Sequence, residues 1–303
     1  MQNKLMTLGV AATLSASVGA MAHAATVDLG FIVDRSGSVG ETNYDNTMTE
    51  LKKALNTIDV TGDTKYAISI VTFGAAQASS GTQATTLVAN KILLDSPAAL
   101  TTLNTAIDAA ITGTQIPNGQ ILTNYEAAFE AMAALDIEGD VSILNFATDG
   151  VPTQGDSSYA TLLDEITALQ TAGTGWDAMN VEAIGSGVAG SSLLQSLGFD
   201  TQITPGWDPD NDDIADFFVA GSRANGNCSG ISSSAQIVNP ISDCFVIDTT
   251  FPDLDDAFNT KIAATVNLTG GSLNPIPVPA TLPLIVAGFG MLGFAARRRR
   301  KSA

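Results

Sequence analysis

A single histidine, His23, occurs in the 303 residues, and it falls in an N-terminal stretch with the marks of a removable leader. The remaining chain has none, which excludes Ser-His-Asp and Cys-His catalysis and any imidazole metal site. Cysteine is nearly as scarce. Cys228 and Cys244 are the only two, too few for a zinc site. In an oxidising compartment they are candidates for one disulfide. Basic residues number 13 against 31 acidic ones, and six of the 13 lie at the extreme ends. Residues 25–280 therefore carry seven Lys and Arg against all 31 Asp and Glu, a formal charge near −24. That balance argues against nucleic acid or an anionic lipid surface as partner. Long apolar runs are confined to the two termini, and no internal repeat is present.

Both termini read as processing signals. Lys4 precedes the apolar, small-residue run Leu5 to Met21, and Ala22-His23-Ala24 fits an A-x-A cleavage site. Residues 1–24 are thus expected to be a Sec-type signal peptide cut between Ala24 and Ala25, the competing reading being an N-terminal anchor. At the other end, Pro275 to Pro279 reads PIPVP, which suits neither helix nor central strand. The apolar segment 282–296 follows, only marginally long enough to span a bilayer, and then the basic cluster 297–301. Residues 276–301 resemble the PEP-CTERM family of bacterial sorting signals, with Val278-Pro279-Ala280 closer to its V-P-x-P-A variants. The resemblance implies an exosortase as processing partner. The precursor would sit transiently in the inner membrane through this segment alone, and the mature form would be at the cell surface or extracellular. A plain tail anchor is the alternative. On this reading residues 25–268 form one domain with an irregular insertion at about 200–243, residues 269–280 a Pro/Gly linker, and residues 281–303 the sorting signal.

Within the domain, apolar β-rich runs alternate with segments of helical period. Leu29 to Val33, Lys65 to Phe73, Val141 to Ala147 and Met179 to Ile184 read as strands, Thr85 to Leu94 as an edge strand, and Cys244 to Ile247 as a last short one. Apolar spacing predicts helices at 41–58, from Pro97 through Ile111, at about 122–135, at 157–171 with Leu162, Leu163, Ile166 and Leu169 inward, at 191–197 and at 252–266. This alternation predicts an α/β fold of the doubly wound, Rossmann-like kind, a mainly parallel sheet with helices on both faces. Ligands of such sheets sit at the carboxyl ends of the strands, near a switch in strand order.

Three loops fall on that edge. The first strand ends in Asp34-Arg35-Ser36-Gly37-Ser38, one carboxylate and two hydroxyls at alternate positions. Alternate positions on an extended chain share a face, so three oxygens can converge. Such hard ligands suit Mg²⁺, Mn²⁺ or Ca²⁺. The second loop leads into Thr123-Asn124-Tyr125-Glu126-Ala127-Ala128-Phe129, and the third is Thr148-Asp149-Gly150 after a buried strand. D-x-S-x-S, a threonine in a T-x-x-x-x-A-hydrophobic context and T-D-G, in this order, resemble the von Willebrand factor type A domain over roughly residues 26–266. The resemblance implies that family's metal-ion-dependent adhesion site. Ser36 and Ser38 would bind the cation through their hydroxyls; Thr123, Asp34 and Asp149 would bind directly or through water. One position would stay open for a carboxylate of a protein or extracellular polymer.

Blander readings stand beside these. Ser38 and Thr123 are also plausible helix caps, Thr123 with Glu126 as a capping box. Arg35 either steers an acidic partner or is a solvated loop charge. Asp208-Pro209-Asp210-Asn211-Asp212-Asp213 has D-x-D-x-D spacing but lacks the glycine and final glutamate of a calcium loop. The sequence thus points to a non-enzymatic, divalent-cation-dependent binding module. The alternative is a structural matrix component whose metal mainly stabilises the fold. A metal-assisted hydrolase has neither a general base nor a nucleophile motif to support it.

Overall fold

The computed structural model describes residues 26–76, 85–112, 121–158, 160–170, 175–197, 199–200, 229–231 and 245–274. The strands are β1 (Thr26–Asp34), β2 (Lys65–Phe73), β3 (Ala75–Ala76), β4 (Thr85–Leu94), β5 (Ile121–Leu122), β6 (Val141–Thr148), β7 (Ala178–Ile184), β8 (Phe199–Asp200), β9 (Ser229–Ile231) and β10 (Phe245–Thr249). The helices are α1 (Gly40–Leu55), α2 (Pro97–Thr112), α3 (Tyr125–Ala133), α4 (Leu163–Leu169), α5 (Ser192–Leu197) and α6 (Leu254–Leu268). The main sheet runs β4-β2-β1-β6-β7-β10-β9, with β8 beside β7. All pairings are parallel except those of β4 and β8. This is the mainly parallel, doubly wound sheet expected, with β4 at its edge. A bulge interrupts β4, where Lys91 takes a left-handed φ of 47°, and such a kink blunts an edge against further pairing.

Alternation along β1 divides the core. Leu29, Phe31 and Val33 face the layer that includes Tyr44, Met48 and Leu51 of α1, Leu103 and Ile107 of α2, and Phe258 and Ile262 of α6. Ile32 faces the other layer, with Tyr125, Phe129 and Met132 of α3, Ile166 and Leu169 of α4, and Leu194 of α5. Gly30 points the same way, and the Trp176 ring and Leu144 lie directly over it. A Cβ there would stand 2.4 Å from Leu144 Cδ2 and 2.6 Å from Trp176. The chain moves outward from β1 to β2 on one side and from β6 to β7 on the other. The order therefore switches between the adjacent strands β1 and β6.

Four details differ from the sequence reading. The helix expected over 157–171 is confined to Leu163–Leu169. Ser158 and Thr161 bond each other's backbone amides before it, at 3.1 and 3.3 Å, and this local alternative holds a turn. Leu163, expected inside, is 39% exposed. Ser229–Ile231 forms strand β9 within the region read as irregular. Thr269 to Asn274, read as the start of a linker, is fastened to the domain. Thr269 is buried and its Oγ1 lies 2.8 Å from Tyr66 Oη, Leu273 bridges to Ile58, and Asn274 Nδ2 donates to Ile58 O at 3.0 Å. Cys228, Cys244, Asp208–Asp213, the leader and the C-terminal segment from 275 lie outside the described residues. Among the described residues, no helix is long and apolar enough to cross a membrane.

Because Leu144 and Trp176 fill the space over Gly30, Gly30→Val is expected to cost about 3 kcal/mol or more, or to prevent folding. Urea denaturation followed by circular dichroism checks this, and a wild-type midpoint would show that the layer yields.

Candidate metal site

Asp34 ends β1, Thr148 ends β6 and Asp149 follows it, so the strand-order switch brings their side chains to one edge. The Asp34 carboxylate is buried. Its Oδ1 accepts the Ser36 amide at 2.6 Å, and its Oδ2 accepts the Thr148 hydroxyl at 2.6 Å. Ser36 Oγ lies 3.0 Å from Ser38 Oγ, which donates to Asp149 Oδ1 at 2.7 Å. The D-x-S-x-S loop and the T-D-G loop thus meet through a direct hydrogen bond.

The third loop arrives through Thr123, whose side chain is also buried. Its backbone is tied to the loop after β6: Thr123 N donates to Thr153 Oγ1 at 3.0 Å, and Thr123 O accepts the amides of Thr153 and Gln154 at 2.9 and 3.1 Å. Tyr125, on the first turn of α3, donates its hydroxyl to Gly150 O. Gly150 marks the centre of the convergence. A Cβ on it would lie 3.2 Å from Ser38 Oγ and 3.4 Å from Thr123 Oγ1. A glycine keeps the space between these hydroxyls open.

All five residues expected from the sequence, Asp34, Ser36, Ser38, Thr123 and Asp149, therefore lie on one edge. Two alternative roles do not hold. Ser38 does not cap α1: the residue before that helix is Val39, with no side-chain cap. The Thr123–Glu126 capping box is absent as well. Asn124 caps α3, its Oδ1 accepting the Ala127 amide at 3.0 Å, and Glu126 Oε2 accepts the Asp156 amide at 3.2 Å. Thr123 Oγ1 is left free of the helix end. Arg35 is no free loop charge: its guanidinium lies over the Tyr44 ring, 5.7 Å from the centroid, and its amide donates to Phe73 O at 2.8 Å. Sequence reasoning missed Thr148 and Tyr125. Their signal was only their position, one residue before Asp149 and two after Thr123.

The electrostatics favour a cation. Burial pushes the Asp34 carboxyl up to about 6 against the hydrogen bonds from Thr148 and Ser36, and the Asp149 charge adds to the rise. Burial raises Asp149 as well, opposed by the Ser38 hydroxyl. Two carboxylates made costly by burial and mutual repulsion, with hydroxyls as the remaining donors, fit a hard divalent ion. These five residues would hold it, directly or through water.

The von Willebrand factor type A domain matches residues 28–200, and the chain belongs to that family. Several solved structures are similar to it. The zinc-bound proximal thread matrix protein 1 of the mussel byssus is 17% identical, with a TM-score of 0.46 over 83% of this chain and 48% of that one. The pilus adhesin SpaC of Lactobacillus rhamnosus GG, in its open conformation, is 14% identical, with a TM-score of 0.45 over 80% of this chain and 30% of that one. Manganese-loaded TRAP protein of Plasmodium vivax is 15% identical, with a TM-score of 0.42 over 82% and 76%. The chain matches between a quarter and about half the length of the first few such structures. At these identities and scores the likeness carries no functional argument. The comparison with curated proteins found no match.

Because the folded Asp34 holds its proton up to about pH 6 while an unfolded aspartate releases it near 3.8, the folded chain binds more protons between these values. Stability without metal is therefore expected to rise as pH falls from 7 toward 4, by at most about 3 kcal/mol from this group. Asp34→Asn removes that part of the slope. Urea midpoints at several pH values in chelator, for wild type and variant, check it; parallel curves would refute the burial argument.

Proposed function

We propose that this domain is a non-enzymatic binding module that takes a divalent cation, Mg²⁺ first with Mn²⁺ or Ca²⁺ as alternatives, and uses it to capture a carboxylate of a protein or extracellular polymer. The observation that carries the reading is the convergence of Ser38, Thr123 and Asp149 around Gly150, with Asp34 buried beneath. When bound, the cation supplies a positive centre with a coordination position left for a ligand oxygen. Asp34 is the fixed carboxylate. Thr148 and the Ser36 amide hold both its oxygens and so set where its charge points. Ser36 and Ser38 supply neutral donors, which leaves the net charge of a dication with two carboxylates near zero. Such a centre keeps its attraction for an incoming carboxylate. The hydroxyls of Ser38 and Thr148 are tied to the two carboxylates, and this all-oxygen set with no histidine supports holding a hard cation and binding through it.

The same reading includes export through the Sec pathway, removal of residues 1–24 and cleavage by an exosortase near Ala280. Support comes from the sequence of the two ends alone. A mature mass beginning at Ala25 and ending near Ala280 is expected, and an intact RRRRK tail would refute the sorting step.

Binding of the purified chain to cell-surface protein and polysaccharide fractions is expected to need Mg²⁺ and to fall at least tenfold in chelator or with Asp34→Ala, the fold being checked by circular dichroism. Undiminished binding by a folded Asp34→Ala variant would sink the metal-dependent mechanism. If metal raises the melting temperature while binding ignores it, the metal is structural.

A further inference from the structure

The most unusual chemistry outside the five candidate metal ligands lies where α6 packs against the sheet. Lys261 of α6 and Glu182 of β7 are 1% and 0% exposed, and Lys261 Nζ is in direct contact with Glu182 Oε1. Among the described residues, neither the amine nor either carboxylate oxygen has another hydrogen-bond partner. The amine also lies against two aromatic rings, 5.2 Å from the centroid of Phe258 and 5.9 Å from that of Phe31. Asn145 stands on the same sheet face, two residues before Ala147, the register partner of Glu182. Its Oδ1 is buried and equally without a partner.

An isolated buried ion pair is a poor arrangement. Its Coulomb attraction offsets the lost hydration only when further hydrogen bonds satisfy the remaining lone pairs and protons, and here none do. Burial pushes the Lys261 amine well below its ordinary range, which favours the neutral nucleophile. Proton transfer from Nζ to Oε1 relieves both charges and leaves a neutral amine touching a carboxylic acid.

We propose that Lys261 and Glu182 are joined by an intramolecular amide between Nζ and Cδ. The nitrogen lone pair attacks Cδ, the Cδ–O bond to the hydroxyl breaks, and that hydroxyl leaves with one Nζ proton as water. No oxidant, reductant or co-substrate is needed. Fixed contact in a dry pocket supplies the effective concentration that this condensation lacks in water. The product is neutral, keeps one N–H, and Asn145 Oδ1 is the unsatisfied acceptor on that face. The bond closes a loop of roughly 80 residues, spans β10, and fixes the last helix to the sheet; a cross-link of that length stabilises a fold by limiting the unfolded chain.

The test is the intact mass of the purified full chain under denaturing conditions. A mass about 18 Da below that of its sequence is expected, lost on Lys261→Met and kept on the control Lys52→Met. A protease digest is expected to contain one branched peptide joining positions 182 and 261, which decides the matter even if Lys261→Met fails to fold. A mass equal to the sequence, or a deficit of about 17 Da from loss of ammonia at an asparagine, overturns the assignment.

Discussion

The carboxylate of Asp34 has lost its water, and much of the domain is arranged around that loss. A buried carboxylate is tolerable only with donors on both oxygens or a cation beside it. The donors come from two directions, the Ser36 amide along its own chain and the Thr148 hydroxyl across from β6. The second requires β1 and β6 to be neighbours, which in a parallel sheet requires the chain to leave β2 and return to the other side of β1. The switch in strand order between β1 and β6 is that adjacency.

Charge placement leaves the edge without a lysine. The described lysines are engaged elsewhere: Lys52 with Asp108, Lys53 with Glu50, Lys91 with Glu138, Lys65 with the carbonyls of Val60 and Gly62, and Lys261 with Glu182. The exposed pairs contribute little to stability. Their effect is one of location, since they leave the acidic edge without a lysine to neutralise it. A strongly negative protein repels acidic ligands at distances within the Debye length. A bound dication is then what reverses the sign locally.

Much of this was legible in the chain. The β-rich runs at 29–33 and 141–147 are mainly apolar on both faces, which marks central strands, and the alternate oxygens at 34, 36 and 38 mark a convergent loop. Short-range competition was not legible. Asn124 takes the α3 cap in place of Thr123 because its side chain reaches the Ala127 amide, and nothing in the spacing separates the two. Ser158 and Thr161 delay α4 by satisfying each other. Long-range pairings were hidden for another reason. Lys261 looks like an ordinary solvated residue of an amphipathic helix, and Glu182 interrupts an apolar strand. Only the packing of α6 against β7 shows that each answers the other. Thr269 to Asn274 has a linker's composition, and its hold on the domain depends on Tyr66 and Ile58, some two hundred residues earlier.

That hold has a mechanical consequence. Thr26, at the start of β1, and Asn274, beside the end of α1, both lie at the pole from which the parallel strands begin. The cation edge lies at the other pole, about 30 Å away along a nine-residue strand. If the domain captures a ligand as proposed, a pull between that ligand and the C-terminal side of the chain would run along the strands and load many hydrogen bonds at once in shear. Residues 269–274 would bear it before α6, through the holds of Ile58, Asp59, Thr64 and Tyr66 on them.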